Sequence, residues 1–355
     1  MPGSPLRVLV VDDSALMRRQ LRQMLESAGD VVVQHARNGH EALEQIRVFN
    51  PQVVTLDVNM PEMDGLTCLR RLMREAPRPV VMVSSLTADG AEVTVRALAL
   101  GAVDVVLKPD GTVSSGIDRV RTELLAKVRT AARARLRPMR LEESLRAERT
   151  AVSARHRAAL QSPRDLAGVV LIGVSTGGPR ALEDILPDLP EGFPYAVVIA
   201  QHMPASFTGS LARRMDGLCV LPVQEVAAPT PLRGGAIFIG RGESDVVIER
   251  RLGRIVANAV PPDQSPWHPS ADRMVASAME HLPPARLIGV LLTGMGNDGA
   301  EAMTALHRRG GRTIAESEQT AAVFGMPAEL IRRGGATEVL ACDRIAAHLA
   351  QWMRM

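Results

Sequence analysis

Short apolar segments alternate with amphipathic segments along the first third of the chain. The apolar runs are "LRVLVV", "DVVVQHA", "PQVVTLD", "RPVVMVSS" and "VDVVLKP", and segments such as "SALMRRQLRQMLESAG" with helical periodicity separate them. Near-continuous apolar strands that alternate with helices are typical of a parallel sheet covered on both faces. The pattern predicts an N-terminal α/β domain of the (βα)5 type over residues 1–125.

A second alternation follows over residues 166–355. The runs "GVVLIGVS", "PYAVVIAQH", "RLIGVLLTG" and "GRTIAES" predict a doubly wound, mostly parallel α/β domain. Four further runs, "VLPVQEVA", "GGAIFIG", "SDVVIERR" and "GRIVANAV", lie between the second and third of these. We interpret them as β-hairpins inserted into the second domain.

The segment between the two domains is strongly basic. Residues 126–164 contain eleven Lys and Arg against three Glu, few large apolar residues and no aromatic residue. We therefore predict a basic helical extension and linker over residues 126–165. A nucleic-acid-binding arm is the alternative, but the aromatic side chains that stack on bases are missing. This segment alone carries a formal charge of 11 − 3 = +8, whereas the whole chain carries +3. The rest of the chain therefore carries 3 − 8 = −5, and the folded parts are mildly acidic.

Composition narrows the class of protein. A length of 355 residues suits two domains, and 46% hydrophobic with 23% charged residues is typical of a soluble protein. The chain has no apolar run of membrane-spanning length and no signal peptide at its start, so we expect a cytoplasmic protein without membrane insertion. Its three cysteines, Cys68, Cys219 and Cys342, lie far apart and are interpreted as packed thiols.

Polar residues stand at the ends of the strands in the first domain. Asp12 and Asp13 follow the first strand, and Asp57 follows the third. The carboxyl ends of parallel strands meet, so three carboxylates should converge, and a hard cation such as Mg²⁺ relieves their repulsion. Ser84 and Lys108 end the fourth and fifth strands, and together these groups suit an acyl phosphate on Asp57. Helix capping is the plainer alternative for a single aspartate such as Asp13.

The segments "VLVVDDS", "LDVNMPEMDGL", "VMVSS" and "LKP" resemble the receiver domain of two-component response regulators over about residues 5–125. The resemblance implies that Asp57 is the phosphoacceptor and that Ser84 and Lys108 bind the phosphoryl group. It also implies a cis bond between Lys108 and Pro109. The implied Mg²⁺ ligands are Asp12, Asp13, Asp57 and the main-chain carbonyl of Asn59.

The chain departs from the receiver pattern at one position. Many receivers carry an aromatic residue three positions before the lysine, where this chain has Val105. The usual switch between the hydroxyl and the aromatic residue is therefore not expected here in its usual form.

Three residues of the second domain suggest nucleophilic catalysis. Ser175 lies in "GVSTG", which matches G-x-S-x-G, the pattern of a serine on a tight strand-to-helix turn. His202 comes just after the next strand, and Asp298 lies in the glycine-rich turn "TGMGNDG" after a third. A bland or anion-binding loop, a structural histidine and a helix cap are the alternatives for each residue taken alone. Together they form a nucleophile, a base and an orienting carboxylate.

The proposed order of these residues separates the domain from a related fold. Along the chain, Ser175, His202 and Asp298 do not follow the Ser, Asp, His order of α/β-hydrolases, which argues against that fold.

The glycines around Asp298 let the main-chain N–H groups of Met295 or Gly296 approach a developing oxyanion.

The segments "IGVSTGGP", "IAQHMPASFTGSLARRM", "HPSADRM", "LTGMGNDGA" and "AESEQTAAVFGMP" resemble the catalytic domain of the chemotaxis protein-glutamate methylesterases, the CheB family, over about residues 166–350. The resemblance implies hydrolysis of γ-glutamyl methyl esters on chemoreceptors, with release of methanol, and deamidation of receptor glutamines, without a cofactor for the esterase reaction. Ser175, His202 and Asp298 match the catalytic positions, and Thr176 and Met295 match neighbouring positions of the site.

A departure also occurs in this domain. Where the family commonly has A-P-G-x-x-H, this chain has "GRGESD", with Asp245 near the expected histidine. This departure leaves Ser175, His202 and Asp298 unchanged. It bears on the shape of the substrate-binding groove and on the choice of substrate.

The two resemblances together imply a hydrolase that phosphorylation activates. The implied partners are the methylated cytoplasmic helices of chemoreceptors as substrate and a sensor histidine kinase as phosphodonor, with no nucleic acid. Three alternatives stay open: a DNA-binding output domain, a receiver-controlled scaffold with a vestigial triad, and the same chemistry in a non-flagellar chemosensory pathway. The α/β pattern of the second half speaks against the first.

Overall fold

The computed structural model describes residues 4–85, 87–109, 114–136 and 165–353. The chain divides into two compact units, residues 1–139 and 140–355. Residues 137–164, most of the predicted basic extension and linker, lie outside the described residues. The predicted boundaries at residues 125 and 165 therefore stay a prediction.

The first unit alternates strands and helices as predicted. Its elements are β1 (Leu6–Val11), α1 (Ala15–Glu26), β2 (Val31–Ala36), α2 (Gly39–Phe49), β3 (Val53–Asp57), α3 (Gly65–Glu75), β4 (Val80–Ser84), α4 (Ala88–Ala99), β5 (Asp104–Leu107) and α5 (Ser114–Ala131). Four of its helices begin at residues whose side chains accept a hydrogen bond from a main-chain N–H of the first turn, namely Ser14, Asn38, Asp64 and Thr87. Such capping residues explain where these helices start.

The five strands of the first unit form one parallel sheet in the order β2-β1-β3-β4-β5. The inner strands β3 and β4 are buried at every position, whereas the edge strand β2 alternates. The strand order reverses between β1 and β3, and ligands of open α/β sheets bind at such a point. Asp12 and Asp57 lie there, at the carboxyl ends of β1 and β3.

The second unit contains a longer set of elements. They are β6 (Val169–Val174), α6 (Gly178–Ile185), β7 (Ala196–Gln201), α7 (Ala205–Leu218), β8 (Val223–Val226), β9 (Thr230–Pro231), β10 (Ile237–Gly240), β11 (Asp245–Arg251), β12 (Arg254–Val260), α8 (Ala271–His281), β13 (Leu287–Leu291), α9 (Ala300–Arg308), β14 (Arg312–Glu316), α10 (Met326–Arg332), β15 (Glu338–Leu340) and α11 (Cys342–Trp352). Short 3₁₀ helices span Leu186–Asp188 and Pro284–Arg286.

Seven parallel strands form the main sheet of the second unit, in the order β15-β14-β13-β6-β7-β10-β8. The chain runs from β6 to β7 on one side and returns to place β13 on the other side of β6. The switch point therefore lies at the carboxyl ends of β6 and β13, where Ser175 and the turn with Asp298 are located. Both predicted fold classes are confirmed.

The prediction of inserted hairpins is half wrong. The runs around β11 and β12 do form an antiparallel hairpin, which joins β9 in a separate three-stranded sheet. The runs around β8 and β10, however, extend the main parallel sheet beyond β7. A short apolar run has the same composition in a hairpin and in a buried parallel strand, so periodicity alone does not separate the two.

None of the helices in the described part of the chain is both long enough and apolar enough to cross a membrane.

Candidate active site and phosphoacceptor site

Two buried carboxylates and one ammonium group form the centre of the site in the first unit. Asp12 and Asp57 are almost fully buried. The Nζ atom of Lys108 lies 2.8 Å from Oδ2 of Asp12 and 2.9 Å from Oδ2 of Asp57. Lys108 thus bridges the two strand ends, β1 and β3, from the end of β5.

Burial and the neighbouring charges shift the pKa values of Asp57 and Lys108. Burial raises the pKa of Asp57 above its usual value, and the charge of Asp12 acts in the same direction, against the hydrogen bond from Lys108. Burial by itself lowers the pKa of Lys108, but its hydrogen bonds and charge contacts with Asp12 and Asp57 outweigh this and raise it. The ammonium group therefore stays charged beside Asp57 at neutral pH.

The acidic cluster has the donors of a magnesium site. Asp12, Asp13 and Asp57 can each offer a carboxylate oxygen, all within 4.8 Å of one another. Such hard oxygen ligands are those that Mg²⁺ prefers in proteins. Asn59 is exposed just after β3, so its carbonyl group follows the same strand end.

Ser84 lies at the end of β4, next to this cluster. It is buried, and its hydroxyl accepts a hydrogen bond of 2.9 Å from the hydroxyl of Thr94 in α4. The switching position Val105 is buried in β5, and its carbonyl accepts a bond from Nζ of Lys127. Ser84 therefore links the strand end to helix α4.

The expectation of a cis bond before Pro109 is wrong. Among the described residues the cis peptide bond joins His268 to Pro269. The trans form is favoured by about 0.5–1 kcal/mol before proline, so it is the default where the fold does not demand cis.

Neighbouring strands place Ser175 and His202 side by side in the second unit. Val174 and Gln201 are paired in register between β6 and β7, and Ser175 and His202 are the next residues of these strands. The main-chain N–H of His202 donates to the carbonyl of Val174 at 3.0 Å. The side chain of Gln201 donates to the carbonyls of both Ser175 and His202, each at 3.0 Å. The backbone around both residues is therefore held by one amide.

His202 and Asp298 form a direct contact. Nε2 of His202 lies 2.7 Å from Oδ2 of Asp298, and both side chains are largely buried. Nδ1 of His202 is buried and has no hydrogen-bond partner among the described residues. The structure thus joins the imidazole and the carboxylate, while the Ser175 hydroxyl does not hydrogen-bond to Nδ1. Nδ1 is therefore the imidazole nitrogen that the contact with Asp298 leaves available.

Asp298 is held by the start of helix α8. Its carboxylate accepts bonds from the hydroxyl of Ser270 at 2.9 Å and from the main-chain N–H groups of Ala271 at 2.6 Å and Asp272 at 3.0 Å. Burial by itself raises the pKa of Asp298, but its contacts with His202 and with these N–H groups outweigh burial and lower the pKa. Asp298 is therefore an anion suited to stabilise an imidazolium.

The turn after β13 lies against the serine. The main-chain N–H of Ser175 donates to the carbonyl of Thr293, and the Thr293 hydroxyl donates to the carbonyl of Thr176. A Cβ atom on Gly294 would lie only 2.7 Å from Cβ of Ser175, so glycine is needed there for this close approach. Met295 follows and is partly exposed at 42%. This turn is in the right place to present main-chain donors to an ester bound at Ser175.

Sequence reasoning missed several residues of this site. Trp267 stacks on the His202 ring, with 6.3 Å between the ring centroids and 9° between the planes. Asp245 is completely buried and accepts bonds from the main-chain N–H of Ser270 and from Arg273, and its Oδ1 lies 2.9 Å from Nδ1 of His268. The quoted segment "HPSADRM" and the departure at Asp245 were signals in the sequence, but their connection is visible only in the fold.

Comparisons with known proteins agree with this geometry. The response regulator receiver domain family matches residues 8–114, and the CheB methylesterase family matches residues 170–349. A relative from Rhodospirillum rubrum, named protein-glutamate methylesterase/protein-glutamine glutaminase 3, is 56% identical across 98% of this chain and 96% of its own length. A relative from Rhodopseudomonas palustris with the corresponding name, numbered 2, is 53% identical across 98% of both chains.

A solved structure extends the comparison to the fold. The crystal structure of the CheB methylesterase catalytic domain of Thermotoga maritima is 36% identical and superposes with a TM-score of 0.50, covering 52% of this chain and 97% of that one. The chain therefore belongs to the CheB methylesterase family and carries a response regulator receiver domain before its catalytic domain.

Proposed function

We propose that the protein hydrolyses the γ-methyl esters of glutamate side chains on chemoreceptors, deamidates receptor glutamines, and is activated by phosphorylation of Asp57. The observation that carries the proposal is the His202–Asp298 contact of 2.7 Å beside Ser175 at the switch point of the sheet. The relatives named as methylesterases and glutaminases support the choice of substrate.

The first half of the reaction forms an acyl enzyme. The Ser175 hydroxyl attacks the ester carbon as Nδ1 of His202 takes its proton, and Asp298 on Nε2 stabilises the resulting imidazolium. Main-chain N–H groups of the turn at Met295 and Gly296 donate to the oxyanion, and losing one such donor costs about 3–4 kcal/mol. The tetrahedral intermediate then expels methanol, which receives the proton from His202.

The second half regenerates the enzyme. Water attacks the acyl group on Ser175 while His202 accepts its proton, and the glutamate carboxyl group leaves as the serine recovers its proton. Deamidation follows the same steps, except that ammonia leaves in place of methanol. One set of groups therefore serves an ester and a primary amide, and no cofactor enters either reaction.

The first unit controls the second in this proposal. Asp57 accepts a phosphoryl group from a sensor histidine kinase, and Lys108 and Ser84 bind the phosphoryl oxygens. Asp12, Asp13, Asp57 and the carbonyl of Asn59 would hold Mg²⁺, which would supply positive charge beside the phosphoryl group. The Lys108 ammonium already lies 2.9 Å from the Asp57 carboxylate.

One experiment tests the activity and its control. We expect methylated receptor membranes to release methanol with the wild-type chain, faster with Mg²⁺ and a small phosphodonor. Ser175→Ala should abolish release, and Asp57→Asn should remove the response to the phosphodonor. If the folded wild type released no methanol, the scaffold with a vestigial triad would be the better interpretation. If only receptors of another chemosensory system served as substrate, a role in a non-flagellar pathway would be the better interpretation.

A further inference from the structure

Trp267 lies beside His202, the base of the proposed reaction. Its indole ring is offset and nearly parallel to the imidazole of His202, at 6.3 Å between centroids and 9° between planes. Its edge packs on the turn after β13, since a Cβ atom on Gly296 would come within 2.7 Å of Cζ2 of Trp267. The indole thus spans the space between the base and the turn expected to bind the oxyanion.

The residues that follow Trp267 hold it in this place. Oδ1 of the fully buried Asp245 lies 2.9 Å from Nδ1 of His268 and accepts the main-chain N–H of Ser270 at 2.7 Å. The Ser270 hydroxyl in turn donates to Asp298. The segment 267–270 therefore contacts both members of the His202–Asp298 pair.

A parallel aromatic ring affects an imidazole in two ways. The negative face of the indole attracts a cation, so it favours the imidazolium that forms when His202 takes the serine proton. The ring also restricts rotation of the imidazole, which favours the arrangement with Nε2 on Asp298. The electrostatic effect is larger in the transition state than in the resting enzyme, so it accelerates the reaction rather than tightens substrate binding.

We propose that Trp267 is a positioning residue of the hydrolytic reaction, which acts by stacking on His202 and stabilising its imidazolium form. This inference rests on the proposed role of His202 as the base. It concerns a residue outside the serine, histidine and aspartate that carry the chemistry.

The charged groups around this pair define the controls. Asp298 faces His202 on Nε2. Beyond Trp267, the cluster of ionisable groups consists of Asp245, Asp263, His268 and Arg273. Of these, His268 is the second histidine beside Trp267, so its substitution is the control for that of His202.

Kinetics give the first test. We expect Trp267→Leu to lower kcat for methanol release about 2- to 5-fold, the lower end of the range for a cation–π contact because the two rings are offset, with KM nearly unchanged. Trp267→Phe keeps an aromatic face and should recover most of the rate. Trp352→Leu is the matched control, because Trp352 also contacts a histidine, His348, at 4.7 Å between centroids, in the terminal helix α11.

Fluorescence gives a second readout that does not need turnover. The chain has two tryptophans, so Trp352→Phe leaves Trp267 as the sole indole. Protonated imidazole quenches a stacked indole, and we expect its emission to fall on acidification at the midpoint of the acid limb of kcat/KM. In the Trp352→Phe chain, His202→Gln should abolish this decrease in emission on acidification, whereas His268→Gln should leave the decrease unchanged.

The outcomes are distinguishable. If the wild type releases methanol and Trp267→Leu matches it, the inference is wrong while the proposed function stands. An emission step that survives His202→Gln would also overturn the inference. A wild type without activity would count against the proposed function, and the fluorescence titration would still decide whether Trp267 senses His202. A Trp267→Leu variant that does not fold leaves the decision to Trp267→Phe and to the titration.

Discussion

The side chain of Gln201 shows how one buried amide can fix two functional residues. It is 1% exposed and donates to the carbonyls of Ser175 and His202, which lie on neighbouring strands. A glutamate of the same shape has no N–H to donate and would turn an oxygen towards both carbonyls. The substitution Gln201→Glu therefore removes the amide N–H donors while it keeps the volume of the side chain.

We expect Gln201→Glu to lower the free energy of unfolding by about 1–3 kcal/mol, because two buried acceptors lose their donor. The rate of methanol release should fall about tenfold, because Ser175 and His202 are then less well aligned. A tenfold loss corresponds to an activation free energy raised by about 1.36 kcal/mol. Gln224→Glu is the control, as Gln224 is exposed on β8 and the substitution is the same. Equal effects of the two variants on rate would contradict the role given to Gln201.

The buried charge of Asp57 makes a prediction about pH. Burial raises the pKa of Asp57 in the folded chain, so its ionised form costs stability above that pKa. This cost disappears as the pH falls through the raised folded pKa and the carboxyl becomes neutral. Asp57→Asn should therefore have a higher free energy of unfolding than the wild type at pH 7, seen as unfolding at a higher denaturant concentration, and this gain should shrink on acidification.

Two controls accompany this measurement in the full chain. Asp13→Asn makes the same chemical change at an exposed position and should give little gain. Added Mg²⁺ should narrow the difference between Asp57→Asn and the wild type, because the cation relieves the repulsion that the substitution removes. A destabilised Asp57→Asn at pH 7 without Mg²⁺ would show that the Lys108 contact outweighs burial.

At the scale of elements, the start of helix α8 holds Asp298, the carboxylate of the proposed triad. Ser270 caps this helix by accepting from the main-chain N–H of Arg273, and its hydroxyl also donates to Asp298. Ser14 caps helix α1 in the same way, through the main-chain N–H of Met17, far along the chain from Asp298. The two serines thus share one structural role, and Ser270 has a second one.

We expect Ser14→Ala to lose about 1 kcal/mol of stability from the missing cap, and Ser270→Ala to lose more, because a buried oxygen of Asp298 also loses a donor. Ser270→Ala alone should reduce kcat, about tenfold, because one oxygen of Asp298 loses a buried donor. Chemical denaturation and methanol release measure the two effects separately. An unchanged kcat in Ser270→Ala would show that the main-chain N–H groups of Ala271 and Asp272 suffice to hold Asp298.

Strand ends are also where sequence reasoning worked best. An apolar run followed by Asp57, Ser175 or His202 marks the carboxyl end of a buried strand, and parallel strands bring such ends together. The direction of β8 and β10 was not predictable in this way, because their apolar runs fit a hairpin equally well. Asp245 and Ser270 are 25 residues apart and meet through tertiary contacts that no local pattern encodes.

At the scale of the molecule, each unit has its own sheet, core and switch point. Asp57 lies in the first unit, and Ser175, His202 and Asp298 lie in the second. The hydrogen-bond partners described for these three residues belong to the second unit as well. In the proposed function, the chemistry therefore requires the second unit alone, and its control requires both units.

A fragment that begins at residue 165 tests this division. Because it contains the whole hydrolytic site, we expect it to release methanol at least as fast as the full chain without phosphodonor. A phosphodonor and Mg²⁺ should accelerate the full chain and leave the fragment unchanged, as they should leave full-length Asp57→Asn unchanged. A folded fragment without activity would show that the first unit contributes to the site itself, and a fragment that still responds would place the phosphodonor effect outside Asp57.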